Sequence, residues 1–136
     1  MAKEFIFETK VFLGDVNIYG TAYFAKYFEW QGMARELLFI TLIPDYLKFN
    51  GKYKMITIEA SVNYKSEANV FDDILIKIEV ANIKLTTYEL HFSYFNKKSN
   101  NLIATGKQKI GFTDLSGKVV TIPMELIKAW MVYSPK

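Results

Sequence analysis

The stretch Gly14-Asp15-Val16-Asn17-Ile18-Tyr19-Gly20-Thr21-Ala22-Tyr23-Phe24-Ala25-Lys26-Tyr27-Phe28-Glu29-Trp30-Gln31-Gly32-Met33-Ala34-Arg35-Glu36 decides how this chain reads. Its first part holds Asp15, Asn17 and the glycines Gly14 and Gly20, the residue types of a loop. From residue 22 the pattern becomes helical. Ala25, Phe28, Gln31/Gly32, Arg35 and Phe39 fall on successive turns, and Leu37 and Leu38 add apolar surface, so a helix is predicted over 22–40. Gly32 inside that helix costs about 1 kcal/mol against alanine, which points to something close by that needs the space. Pro44 ends the run or opens a short second turn over 45–49.

Outward from this segment the period changes. Residues 4–12 are rich in aromatic and β-branched types and read as a strand. Beyond residue 55 the pattern alternates. Ile56, Ile58, Ala60, Val62 and Tyr64 share one face, with Thr57, Glu59, Ser61 and Asn63 opposite. Ile74, Ile76, Ile78 and Val80 form a second such face, and Tyr88, Leu90, Phe92 and Tyr94 a third, opposed by Glu89, His91 and Ser93. A further strand spans 102–113. The polar stretches 96–101 and 114–117 read as turns. Pro123 suits the first turn of a closing helix over 124–131. A strand, a loop, a long helix, an antiparallel meander and a closing helix make an α+β fold. No repeat or linker divides residues 1–136, so one domain is expected.

Composition narrows the chemistry. The 136 residues are 51% hydrophobic and 16% aromatic, enough for a sizeable core with aromatic surface to spare for a ligand or a partner subunit. The net charge is +3, and the lysines are spread along the chain. Nucleic-acid binding calls for a concentrated basic stripe, so none is expected. A mild positive balance suits an acidic carrier or a phosphate-bearing arm. The absence of cysteine excludes disulfides, thiolate metal sites and a cysteine nucleophile. The single histidine, His91, excludes a multi-histidine metal site and argues against a histidine triad. Its place on the polar face of a strand reads as a solvated histidine. No metal or cofactor is called for. No apolar run reaches the ~20 residues that span a bilayer, and the N-terminus lacks an apolar signal core, so a cytoplasmic protein without a membrane partner is expected.

The 14–36 segment resembles the signature of the 4-hydroxybenzoyl-CoA thioesterase family of hotdog proteins: an acidic residue three before a glycine (here Asn17 before Gly20), the aromatic pair Tyr23-Phe24, then a helix with a Tyr or Phe and an aromatic-rich turn. Element order over nearly the whole chain is similar, including the closing Ile122-Pro123-Met124-Glu125-Leu126. Asn17 departs from the pattern, since most of the family carries an aspartate there that acts on the thioester. In this respect, and in Arg35, the segment looks more like the enediyne polyketide thioesterases, which act on acyl chains held by a carrier protein. The resemblance implies a hotdog fold, with a long central helix wrapped by a twisted antiparallel sheet, and a homo-oligomer, dimer or tetramer, with sites between subunits.

It also implies an acyl thioesterase acting on carrier-protein or coenzyme A thioesters. The expected catalytic set is Asn17, Arg35, Tyr27 and the helix start at Phe24, whose backbone N–H groups would meet the carbonyl oxygen. Tyr23, Phe28, Trp30 and Gly20 are expected to contact the substrate, with Phe24, Phe28 and Trp30 lining an apolar tunnel. Glu59 and Ser61 are further candidates through a neighbouring subunit. Plainer readings stand beside these. Asn17 between glycines is a common turn residue, Arg35-Glu36 suits a solvated helix face, and Tyr27 suits a core position. The alternative at the level of function is a non-catalytic acyl-binding or scaffolding hotdog protein, motivated by the missing carboxylate.

Overall fold

The computed structural model describes residues 4–131. Alternating apolar residues give the strands β1 (Phe5–Lys10), β2 (Tyr53–Tyr64), β3 (Asp73–Ala81), β4 (Thr87–Asn96) and β5 (Leu102–Asp114), and a short β6 (Val119–Val120). They form one antiparallel sheet in the order β1-β3-β4-β5-β2, with β6 on β5. The helices are α1 (Lys26–Leu42), α2 (Tyr46–Asn50) and α3 (Met124–Trp130). The α+β architecture expected from the sequence is the one observed.

The sheet curls around α1. The helix buries Tyr27, Trp30, Gln31, Ala34, Leu38 and Phe39, a stripe at the three-and-four spacing of one helical face. Ile74, Ile76, Ile78, Leu90, Phe92, Tyr94, Ile110 and Phe112 meet it from the sheet. α3 closes one end, where Trp130 lies against Tyr88 at 4.2 Å between ring centroids. The alternation predicted for β3 and β4 holds, and every apolar residue named there is buried.

Three expectations shift. The helix begins at Lys26 instead of residue 22. Thr21 bridges to Asn69, Ala22 donates its N–H to the Ala68 carbonyl, and Tyr23 donates to that of Asp15. Thr21 and Ala22 are held extended in β-bridges and Phe24 and Ala25 form a turn, so helical backbone starts only after them. The buried face of α1 also differs from the predicted one, because Phe28 points outward while Tyr27 and Trp30 point in.

The third shift is in β2. A bulge between Thr57 and Glu59 leaves Ile58 unpaired with β5. It changes the phase of the strand. Thr57 lies opposite Ile110, and Ala60, Val62 and Tyr64 lie opposite Gln108, Gly106 and Ala104. Paired residues share a face, so Thr57 faces α1 while Ile56 and Ile58 stay 40% and 50% exposed. The sequence pattern placed Thr57 on the outer face. Among the described residues β2 is also the edge of the sheet, twelve residues long and paired on one side only.

Candidate active site

The loop before α1 is organised by Asn17. Its Oδ1 accepts from the Tyr19 N–H at 2.9 Å and from the Thr21 N–H at 3.3 Å, and its Nδ2 donates to Thr21 Oγ1 at 3.0 Å. The Gly20 N–H donates to the Asn17 carbonyl at 3.1 Å, and Gly20 takes a positive φ of 81° that other residues adopt only with strain. The turn is therefore closed by Asn17, the residue at which the resemblance noted in the sequence implies an aspartate. Asp15 is occupied as well: its Oδ2 accepts from the Phe12 N–H at 2.9 Å, and its Oδ1 lies 3.6 Å from Lys26 Nζ.

That loop delivers an uncapped helix. Ala25, at the N-cap, offers no side-chain acceptor. Among the described residues the backbone N–H groups of Phe24 and Ala25 donate to nothing. Tyr64, at the end of β2, donates its hydroxyl to the Phe24 carbonyl at 2.7 Å. Across a trans peptide the carbonyl and the following N–H point in opposite directions. Fixing the Phe24 carbonyl thus fixes the Ala25 N–H facing away from Tyr64. The sequence gives no cue to this contact, because Tyr64 lies 40 residues from Phe24.

The aromatic candidates separate into two groups. Tyr23, Phe24 and Phe28 are 46%, 60% and 38% exposed around the helix start. Trp30 is 3% exposed and packs edge-on against Tyr27, so it is part of the buried core behind them. Tyr27 is buried through its ring. Its hydroxyl has no partner among the described residues, and none of their buried side-chain nitrogen or oxygen atoms is left unsatisfied, so that hydroxyl opens to solvent.

Burial pushes the Tyr27 hydroxyl up to about 12, with Tyr64 and Glu67 adding to the effect. Burial raises Tyr88 and Tyr94 further. A tyrosine whose folded value lies above its unfolded one, near 10, holds its proton more tightly when folded. Its stabilisation is complete below pH ~10 and is lost as pH climbs through the folded value. Thermal midpoints are expected to be flat up to about pH 10 and to fall steeply between about pH 10 and 12. A Tyr27→Phe variant should fall less over that window. A midpoint that is insensitive to pH there would contradict the burial.

Arg35 lies in the third turn of α1, on the side facing β2. One terminal nitrogen donates to Gln108 Oε1 at 3.0 Å and also to Thr57 Oγ1. Burial pushes its guanidinium below the ordinary value, opposed by the nearby Tyr88 and Glu36. No carboxylate among the described residues pairs with it: the described ion pairs involve lysines and His91 only. It is the only arginine in the chain. It opens onto a groove of about 820 Å³ between α1 and the α2–β2 connection, whose lining includes Gly32, Glu36, Phe39, Tyr46, Tyr53 and Lys54. A methyl group on Gly32 would meet nothing within 4 Å, so the glycine keeps the groove open and makes no room for another part of the fold.

The remaining candidates face away. Glu59 and Ser61 pair with Lys109 and Lys107 on the outer face of the sheet, and of Ser61 only the carbonyl reaches inward, to Gln31. His91 holds Glu89 at 2.8 Å on the same outer face. Among the described residues no cluster of histidine, aspartate and glutamate could hold a metal, and no helix is long and apolar enough to cross a membrane.

A comparison with curated proteins finds no match. Solved structures do resemble the chain. The dynemicin thioesterase, whose structures describe polyene binding, superposes with a TM-score of 0.89 at 22% identity, over 97% of this chain and 98% of that one. A 1,4-dihydroxy-2-naphthoyl-CoA thioesterase from Synechocystis gives 0.84 at 18% identity, over 94% and 96%. A Staphylococcus aureus protein in complex with CoA gives 0.88 at 12% identity, over 100% and 89%. At these identities the likeness establishes the hotdog fold. The family model of the thioesterase-like superfamily matches residues 11–131, which spans the loop, the central helix and every strand of the sheet except β1. The chain therefore belongs to the thioesterase-like superfamily of hotdog proteins and takes its place among the thioester hydrolases.

Proposed function

We propose that the chain hydrolyses an acyl thioester carried on the phosphopantetheine arm of a carrier protein or of coenzyme A, without a carboxylate at the attacked carbonyl. The observation that carries this reading is the uncapped start of α1. Two backbone N–H groups without a partner among the described residues, at Phe24 and Ala25, sit at the positive end of a 17-residue helix with one peptide fixed by Tyr64. A thioester is already activated towards water. Water adds to the carbonyl carbon, the oxygen gains the negative charge, the C–S bond breaks, and the released thiolate takes the proton that water gave up. The need is a stabilised oxyanion and a held substrate.

Arg35 is the second source of positive charge. Eleven residues separate it from Phe24, roughly 16 Å along a helix, which is too far for both to act on one carbonyl within one copy. The unpaired edge of β2 supplies the remedy. Two copies pairing along this edge about a two-fold axis run their central helices in opposite directions and bring the helix start of one towards Arg35 of the other. Exposed apolar residues support a partner: Ile18, Tyr19, Met33, Leu37, Ile40 and Ile58. A homodimer, or a tetramer built from it, is the proposed assembly.

In this arrangement Asn17 shapes the approach to the helix start, with Tyr23 and Phe28 flanking the substrate. Asn17→Ala removes the acceptor shared by Tyr19 and Thr21. It is expected to slow hydrolysis about tenfold or more, through a loosened loop, and to cost about 1 kcal/mol of stability. Release of free thiol from a panel of acyl-CoAs and an acylated carrier protein measures the first, and chemical denaturation the second. Full activity in Asn17→Ala would remove it from the site.

A second reading rests on the same residue. Because the Asn17 amide is engaged within its own loop, a non-catalytic acyl-binding protein would look alike at that position. Tight binding of acyl-CoA with no thiol release from any substrate would decide for it.

A further inference from the structure

Two glutamines lie inside the core. Gln31 on α1 is 0% exposed and Gln108 on β5 is 5% exposed, and they are the buried polar side chains of the described core. Buried amides are costly unless every group is satisfied. Here they form a line. Gln31 Nε2 donates to the Ser61 carbonyl at 3.0 Å. Gln108 Nε2 donates to Gln31 Oε1 at 3.0 Å. Arg35 donates to Gln108 Oε1 at 3.0 Å and to Thr57 Oγ1.

The line has only one workable direction. A backbone carbonyl can only accept, so Gln31 must turn its NH₂ to Ser61. That leaves the Gln31 oxygen for Gln108, which must turn its own NH₂ inward. The Gln108 oxygen is then presented to Arg35, which can only donate. Flipping either amide would set two acceptors or two donors against each other. The end of the line also carries no charge: Thr57 and Gln108 hold the guanidinium without neutralising it. Space for the arrangement comes from Gly106, where a Cβ would lie 2.3 Å from Gln31 Nε2 and 3.0 Å from the Ser61 carbonyl. The β2 bulge completes it by turning Thr57 inward.

We infer that Gln31 and Gln108 are positioning residues, a neutral clamp that fixes one terminal nitrogen of Arg35 and leaves the rest of its guanidinium facing the groove, with no carboxylate of the described residues in direct ion-pair contact. The role in catalysis rests on the proposed thioester hydrolysis, but the clamp itself does not. A solvated arginine samples many rotamers; one held on two neutral acceptors meets developing negative charge without reorganising. The clamp also explains why the fold keeps buried amides where two apolar residues would pack.

Because the chain has a single arginine, its Nε–H gives one guanidinium signal in a ¹⁵N spectrum of the intact oligomer. The expected wild-type signal is shifted from the free-arginine position and exchanges slowly with water. Gln108→Met keeps the volume and removes the acceptor. It should move that signal towards the free position and speed its exchange. It should also lower kcat for thioester hydrolysis by about ten- to a hundredfold, with KM nearly unchanged. In an Arg35→Met background the same substitution should cause no further loss of kcat, since it acts through Arg35. Gln108→Glu keeps an acceptor and adds a charge, so the signal should stay ordered while kcat falls. Should Gln108→Met fail to fold, Gly106→Ala displaces Gln31 with both amides retained, and the same shift and loss are expected.

An unchanged arginine signal in Gln108→Met and Gly106→Ala overturns the clamp, whatever the activity. A full further loss of kcat in the Arg35→Met background also overturns it, and full activity in Gln108→Glu overturns the need for neutrality. A signal that moves as expected in a protein that hydrolyses no thioester supports the clamp and defeats the hydrolase reading instead.

Discussion

Arg35→Met is expected to lower the rate of thioester hydrolysis by about 10²- to 10³-fold, the range seen when one donor to an oxyanion is removed. The structure explains why a methionine should still fold. Arg35 is half-buried and forms no ion pair among the described residues, and the nearby Glu36 is exposed, so its removal strands no buried opposite charge. It leaves Gln108 Oε1 without a donor, at about 1–3 kcal/mol, offset in part by the relief of a desolvated cation. Thermal unfolding should therefore shift little while kcat collapses. Arg35→Lys should recover only part of the rate. A lysine brings its charge as a single point, and holding the two acceptors leaves no second nitrogen for the groove. Wild-type activity in Arg35→Met would end its assignment, and an unfolded variant would show that burial, more than chemistry, keeps the residue.

Ile58→Lys should give the second large effect. Ile58 is the unpaired residue of the β2 bulge, 50% exposed, near the middle of an edge strand that pairs with nothing on its outer side. In a two-fold pairing of β2 with its copy, residues near the middle meet their own counterparts, and like charges placed there repel. Lysine is also a residue with which edge strands resist pairing. The expected outcome is a shift from dimer or tetramer to monomer at micromolar concentration, read by light scattering. Because the helix start and Arg35 are about 16 Å apart within one copy, hydrolysis should fall in step, by about 10²-fold or more. The fold itself should survive, since Ile58 contributes nothing to the buried core. Full activity in a monomeric variant would show that one copy holds a complete site and would send the search back to the helix start alone.

The two effects separate cleanly. Arg35→Met leaves the assembly intact and removes the charge. Ile58→Lys leaves the charge and removes the assembly. Mixing the two variants is a further check. If the site is shared, any mixed dimers that form pair one intact helix start with one intact Arg35, and activity returns in part.

The sequence by itself determined the local structure. The apolar periods in 74–80 and 88–94 became β3 and β4 with the buried faces expected, because successive strand side chains alternate sides whatever surrounds them. Asn17 and Gly20 marked their turn, as residues that tolerate or cap a tight backbone. Pro123 sits at the start of the closing helix, at its N-cap. The motif around Asn17, Phe24 and Arg35 identified the family, because it joins a loop and a helix that are adjacent in the chain.

Tertiary structure decided what depends on distant residues. A bulge is a choice made between two strands, so nothing in residues 53–64 announced that Thr57 would turn inward and Ile56 and Ile58 outward. Gln108 gave no signal of burial, since a glutamine in a strand reads as an outward residue until its partners are known. Those partners are Gln31, 77 positions earlier, and Arg35, 73 positions earlier. Trp30 was expected to line an apolar tunnel and is 3% exposed among the core residues, because the face α1 buries is set by the curl of the sheet around it. The contact between Tyr64 and Phe24 arises only when the end of β2 reaches the start of α1. Periodicity records how a side chain leaves its own backbone; which side chain it meets is settled when elements far apart in sequence close on one another.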